Sequence, residues 1–325
     1  MDTVLLTGST GYVGQEILSQ LLALGKRVTA LGRTPPGPGV EFVQADLCDA
    51  AGLERALDGR AFDAIIHTAS LPGDTGDPQQ MVRVNVNGCL NLLEYARRSQ
   101  AKRFVLSSSI SAYEWYPATK FNPPDRMPVD EEHPCRPKDM YSTSKRMQEL
   151  LALTYFHQYQ VPATALRLTA VVGPRGRGGG RGWREFAEKL AEGKRVQVPH
   201  FSAQELCHYV DSRDVARLHI VAAEHPGAVG QVFNCCGPAP SRGADFVTII
   251  HGLVPGIVVE FGFPWSMAQG GEIAFDMSKA ARLLGFVPQY ALADSIKAIK
   301  DWIDAGGLSD TGSAHDKAYG AGVYK

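Results

Sequence analysis

Tyr141 and Lys145 stand four residues apart in "MYSTSKRMQELLALTYF". On a helix that spacing puts them on one face, a turn from each other. An ammonium beside a phenol favours the phenolate and lowers a pKa that begins at about 10. Such a pair can give and take a proton near neutral pH. A second group lies upstream, where "FVLSSSISAY" ends an apolar run in three serines, the last of them Ser109. A hydroxyl at the C-terminal end of a parallel strand faces the crevice where such sheets bind ligands. There it would hold a carbonyl or alcohol oxygen while the tyrosine moves the proton.

The third group is "TGSTGYVG", in which Gly8, Gly11 and Gly14 recur every third residue between an apolar run and an amphipathic one. A strand–glycine turn–helix unit brings backbone N–H groups and a helix N-terminus up to a pyrophosphate, and a glycine is needed for that closeness. The spacing is G-x-x-G-x-x-G, distinct from the G-x-G-x-x-G fingerprint. That fingerprint also expects an acid at the end of the second strand, to hold the ribose hydroxyls of NAD. No acidic residue occurs between Glu16 and Glu41, and the strand ends in "LGR". Arg33 stands where a guanidinium can pair with a 2′-phosphate, which favours NADP over NAD as cofactor.

The elements needed to position these groups follow from hydrophobic periodicity. Val4–Thr7, "KRVTALGR", "VEFVQADL", "FDAIIHTAS" and "KRFVLSSS" read as strands, with helices after the glycine turn, at "LERALDG" and at "MVRVNVNGCLNLLEYARRS". Apolar strands alternating with amphipathic helices predict an α/β fold, a doubly wound parallel sheet of Rossmann type with helices on both faces. The expected organisation is a dinucleotide-binding domain over 1–174, a smaller C-terminal substrate lobe over 175–307 interleaved with the sheet, and a polar, glycine-rich tail over 308–325. The loop "RGRGGGRG" opens the lobe and carries Arg175, Arg177 and Arg181.

Bulk composition narrows the partners. The chain has 325 residues, and its 33 Lys and Arg nearly balance 34 Asp and Glu. That balance gives no electrostatic reason to expect nucleic acid or an anionic membrane surface as partner, which leaves a small-molecule substrate. No run approaches the ~20 apolar residues of a membrane span, and the N-terminus lacks the basic start of a signal peptide. The six cysteines form no C-x-x-C pair and suggest no metal site, and Cys235 and Cys236 read as buried strand residues. A cytoplasmic location is expected.

Together these residues resemble the extended short-chain dehydrogenase/reductase family, which includes NAD(P)-dependent nucleotide-sugar epimerases, dehydratases and sugar dehydrogenases. The glycine turn matches Thr7 to Gly14, a D-L pair matches Asp46-Leu47, and an H-x-A strand end matches His67-Thr68-Ala69. A V-N-x-x-G helix matches Val84-Asn85 through Gly88, and "RLTAVVGP", "YVDSRDVA" and "FDMSKAARLLGFVP" match later signatures. The resemblance implies catalysis by Ser109, Tyr141 and Lys145. It also implies a cofactor site built from Gly8, Gly11, Tyr12, Val13, Gly14, Asp46, Leu47, Thr68, Ala69, Asn85, Tyr141 and Lys145. Ser70, Ser109, Thr169 and the three loop arginines are the candidate substrate contacts. In this family the helices equivalent to 82–99 and 143–159 often pair in a homodimer.

Departures from the pattern bear on the reaction. The family's 4,6-dehydratases carry Thr-Asp-Glu where this chain has Ser109-Ile110-Ser111, so the acid pair for elimination is missing. Many nucleotide-sugar epimerases have asparagine at the position of Thr169, and arginines where this chain reads "ELCH" and "SMAQGGE". Three functions stay open. One is an NAD(P)-dependent oxidoreductase acting on a secondary alcohol or ketone of a sugar-like or polyhydroxy substrate. The second is an epimerase that retains NAD, and the third is a non-catalytic cofactor sensor.

Overall fold

The first strand, Thr3–Thr7 (β1), runs straight into the glycine turn and helix Tyr12–Ala23 (α1). There follow Arg27–Gly32 (β2), Glu41–Gln44 (β3), Ala50–Ala56 (α2), Ala64–His67 (β4), Pro78–Met81 (α3), Gly88–Arg98 (α4), Phe104–Ser109 (β5), Met140–Tyr159 (α5) and Ala163–Leu168 (β6). The computed structural model describes residues 1–73, 77–113, 123–176, 180–262 and 271–309. Six strands and the later segment Val232–Cys235 make one sheet in the order Val232–Cys235, β6, β5, β4, β1, β2, β3. Every pairing in it is parallel. The order reverses at β1, so a crevice opens beyond the C-terminal ends of β1 and β4, where sheets of this type place their ligand.

Consecutive residues Val4, Leu5 and Leu6 are all fully buried, which explains an apolar strand without alternation. Val4 and Leu6 pack with Ile17 and Leu21 of α1 and with Leu218, whereas Leu5 packs with Leu92 of α4 and Phe104. The long helix expected over 81–99 is interrupted. A π-helical turn, Val82–Asn87, separates α3 from α4, and Gly88 then lets α4 approach Leu47, where a Cβ would sit 3.2 Å from the leucine Cβ.

The chain after 175 is divided between two layers. Ser212–Glu224 packs on α1 beneath the central sheet, and Val232–Cys235 joins the sheet beside β6. Ala280, Leu284 and Phe286 also pack on the sheet side. Much of the remainder builds a second, aromatic core, in which Trp183 stacks on Phe246 at 6.3 Å between ring centroids. Helices Arg181–Glu192, Gly243–Leu253 and Leu292–Asp304 enclose this core. Cys235 and Cys236 are both fully buried.

Candidate active site

The glycine turn is shaped by contacts that exclude side chains. Gly8 has φ of +74°, and a Cβ there would lie 2.5 Å from Thr68 Oγ1 and 2.7 Å from the Ala69 nitrogen. A Cβ on Gly14 would overlap the Gly8 carbonyl oxygen. The Gly11 N–H donates to that oxygen at 2.9 Å. Thr68 Oγ1 donates to the Thr7 carbonyl at 2.8 Å, so the ends of β1 and β4 are tied together under the turn. No side chain caps α1 at Gly11 and no acid occupies its first turn, leaving the positive end of the helix directed into the crevice. Tyr12 turns away from it: its ring packs under Gly180 and its hydroxyl donates to Gly173 O at 2.9 Å. Val13 is half-buried against the core on the α1 side.

Lys145 is 3% exposed. Its Nζ donates to Ser107 O at 2.9 Å and to Ser70 Oγ at 3.1 Å, and stands 5.9 Å from the centre of the Tyr141 ring. Burial pushes its pKa down to about 8. Two of its neighbours are held uncharged by the same cause: burial, then the nearby lysine, pushes His67 down to about 3, and burial pushes the Cys89 thiol up to about 12. Tyr141 occupies the first turn of α5, which Asp139 caps by accepting the Ser142 N–H at 2.7 Å.

The serines separate by partner. Ser107 Oγ meets His219 Nε2 at 2.7 Å, and Ser108 Oγ donates to Glu149 Oε1 at 2.6 Å, both in buried surroundings. Ser109 is half-buried and its Oγ accepts the Ser111 N–H at 3.1 Å. Asn85 is fully buried: its amide carbonyl accepts the Leu71 N–H at 2.7 Å, and its NH₂ donates to Leu71 O and to Ser144 Oγ. It ties the segment after β4 to α5 through its side chain.

At the other end of the crevice Arg33 is exposed just past β2, and Gln44 Nε2 donates to its carbonyl at 3.4 Å. Asp46 is exposed, with Oδ1 accepting the Cys48 N–H at 2.9 Å, while Leu47 is buried beneath Gly88. Burial and Asp46 raise the Cys48 pKa, and Arg83 and Arg33 both pull against them, so two guanidiniums face this corner. Arg83 reaches it from the π-turn, and no spacing in the sequence announces that.

Thr169 donates both its N–H and its hydroxyl to Cys235 O, at 3.0 and 3.3 Å. Arg175 points a guanidinium nitrogen at Glu16, 3.9 Å away, and Arg181 pairs with Glu185 at 3.2 Å. Each of these two arginines has a carboxylate of its own; Arg177 lies outside the described residues.

Residues 4–236 match the model of the NAD dependent epimerase/dehydratase family. The chain belongs to this family. It is 25% identical over 320 residues to a putative UDP-glucose 4-epimerase of Methanocaldococcus jannaschii, covering 92% of this chain and 98% of that one. It is 25% identical over 338 residues to a probable UDP-glucuronate 4-epimerase of Rhizobium meliloti, covering 92% and 96%. In fold it resembles an epimerase of Methanothermobacter thermautotrophicus, with a TM-score of 0.82, 21% identity and 95% of each chain covered. The Thermus thermophilus UDP-glucose 4-epimerase solved with NAD gives a TM-score of 0.75 at 24% identity, covering 92% and 98%.

For a member of the epimerase/dehydratase family, whose chemistry depends on a nicotinamide cofactor, the chain's own residues fit the group. Gly8 and Gly14 let the turn pack closely against β4 and the start of α1, whose N-terminus is uncapped and suited to a pyrophosphate. Among the described residues there is no group of three or more His, Cys, Asp or Glu that could hold a metal ion, and no helix long and apolar enough to cross a membrane.

Proposed function

We propose that this chain is an NAD(P)-dependent oxidoreductase that transfers hydride at a secondary alcohol or ketone of a sugar-like substrate. The observation that carries this reading is the Lys145 ammonium, buried against Ser107 O and Ser70 Oγ and 5.9 Å from the Tyr141 ring. An ammonium so placed stabilises the phenolate of Tyr141, which takes the proton from the substrate hydroxyl or returns it to the carbonyl. Ser109 donates its hydroxyl proton to the same substrate oxygen and orients it. A bound nicotinamide cofactor would supply the hydride-transfer chemistry. The glycine turn and the N-terminus of α1 hold the pyrophosphate, and Arg33 makes NADP the preferred cofactor over NAD. Ser70 and Thr169 border the substrate, with Arg175 and Arg181 available to an acidic group on it once they leave Glu16 and Glu185.

Tyr141→Phe tests the acid/base role. With turnover followed by nicotinamide absorbance on UDP-glucose, UDP-glucuronate and their free sugars, the variant should lose about 10²- to 10⁴-fold while binding cofactor as before. Undiminished turnover in a folded variant would sink the proposal. A second reading, epimerisation with retained cofactor, is favoured by the 4-epimerases among the relatives. It uses the same three residues, and interconversion of sugars with no net change in nicotinamide absorbance identifies it. Met147 and Leu150, one turn apart on α5, are 38% and 48% exposed, and they supply the face of the homodimer we include in this proposal.

A further inference from the structure

Glu149 lies one turn beyond Lys145 on α5, and its side chain is completely buried. Its Oε1 accepts from Ser108 Oγ at 2.6 Å and from Arg167 Nε at 2.9 Å. Its Oε2 accepts from an Arg167 terminal nitrogen at 3.0 Å and from Arg146 at 2.8 Å. One carboxylate thus joins α5 to both β5 and β6. Arg167, 3% exposed in its side chain, also donates to Glu131 O at 3.2 Å and covers the Tyr113 ring at 4.5 Å. Tyr113 ends the short turn Ile110–Ala112 that follows Ser109.

Burying two charges to hold a helix on a sheet is a poor way to gain stability, because desolvation offsets most of their attraction and apolar packing does the same task. Apolar packing is non-directional, however, and leaves the helix free to turn about its axis or slide by a fraction of an ångström. Three hydrogen bonds from the sheet to one carboxylate, one from Ser108 and two from Arg167, remove both freedoms. Ser108 is the residue between the one whose carbonyl receives the Lys145 ammonium and the one that would hold the substrate oxygen.

We propose that Glu149, Ser108 and Arg167 are positioning residues, a clamp that sets the Tyr141–Lys145 face of α5 against the Ser107–Ser109 end of β5. The proposal rests on the hydride-transfer reading for its purpose, and its test does not depend on turnover. The groups facing Lys145 are Tyr141 and Glu149 from α5, Cys89 from α4 and His67 from β4. Cys89 and His67 are uncharged at neutral pH, and the Glu149 charge is met by Arg167.

The double substitution Glu149→Met/Arg167→Met removes the clamp and leaves net charge unchanged. Ser108→Ala removes one bond of it and leaves the ion pair in place. In protein labelled with ¹⁵N-lysine, with Lys145→Arg identifying the resonance, the ammonium of Lys145 is titrated by NMR. Released from the Ser107 carbonyl into water, it should titrate at least about one pH unit higher, toward the ordinary lysine value of about 10.4. Ser108→Ala should shift it in the same direction by less. Circular dichroism establishes folding and a fluorescence titration with NADPH establishes an intact cofactor site. A folded double variant whose Lys145 titrates as in the parent overturns the clamp, whatever its melting temperature. If the double variant does not fold, Ser108→Ala decides, and an unmoved midpoint overturns it. Tyr141→Phe turnover and the Lys145 titration can each fail alone, so the two proposals remain distinguishable.

Discussion

Ser107, Ser108 and Ser109 are chemically identical and consecutive, yet they do three different things. His219 takes the first hydroxyl and Glu149 the second, and Ser109 remains at the crevice. Counting along a motif points to Ser109, and the hydrogen bonds show that Ser107 and Ser108 are engaged elsewhere. Arg33 is the residue whose role is most directly tested at this scale. It lies past the end of β2 in a region with no acidic residue from Glu16 to Glu41, and it shares the corner with Arg83. A charge-assisted hydrogen bond contributes about 1.5–3 kcal/mol. Arg33→Ala should therefore weaken NADPH binding by roughly tenfold or more, and leave NADH binding within about twofold. Fluorescence titration of both cofactors decides it; equal losses for the two would remove Arg33 from the 2′-phosphate. Arg83 was hidden from sequence reasoning because its approach depends on the π-turn, and Glu149 because an acid four residues from a lysine reads as an ordinary helix pair.

The elements that matter most are α1 and α5, each of which presents its N-terminal turn to the crevice. For α1 the controlling contact is backbone on backbone. Gly14 sits so close to the Gly8 carbonyl that a methyl group cannot be added without separating the helix from the turn. Gly14→Ala should cost about 1–3 kcal/mol by overpacking and abolish measurable cofactor binding, read from thermal denaturation and NADPH fluorescence. Gly252→Ala is the control. It lies in helix Gly243–Leu253 with open space around it, and it should leave binding unchanged. A Gly14→Ala protein that binds cofactor normally would refute the steric account. The glycine spacing, the strand–helix alternation and the Tyr141–Lys145 face were legible because each is a local periodic signal. The break at Val82–Asn87 was not, because it is set by Asn85 reaching Leu71 and Ser144, partners distant in sequence.

Over the whole molecule, segments beyond residue 175 return to the first half of the chain, among them Ser212–Glu224 under the sheet and Val232–Cys235 at its edge. The lobe and the sheet are therefore joined by more than a linker, and residues 1–174 alone would leave β6 without its outer neighbour. The exposed Met147 and Leu150 bear on assembly. Burying what remains exposed of each side chain in a symmetric contact yields roughly 0.6–1.4 kcal/mol for each copy of each. Leu150→Asp should convert a dimer to a monomer in sedimentation equilibrium with the melting of the protomer otherwise retained. A parent protein that sediments as a monomer at all concentrations would remove the dimer from the proposal.

The sequence by itself determined the fold class and the glycine turn, and it put Tyr141 and Lys145 on one helix face, because periodicity and short motifs are properties of neighbouring residues. Tertiary structure alone decided which serine is left at the crevice, that Asn85 and Thr169 are engaged with backbone, and that Arg175 and Arg181 already have carboxylates. It alone brought Glu149, Arg167 and Ser108 together. Those outcomes depend on contacts between residues far apart in the chain, and no local pattern encodes them.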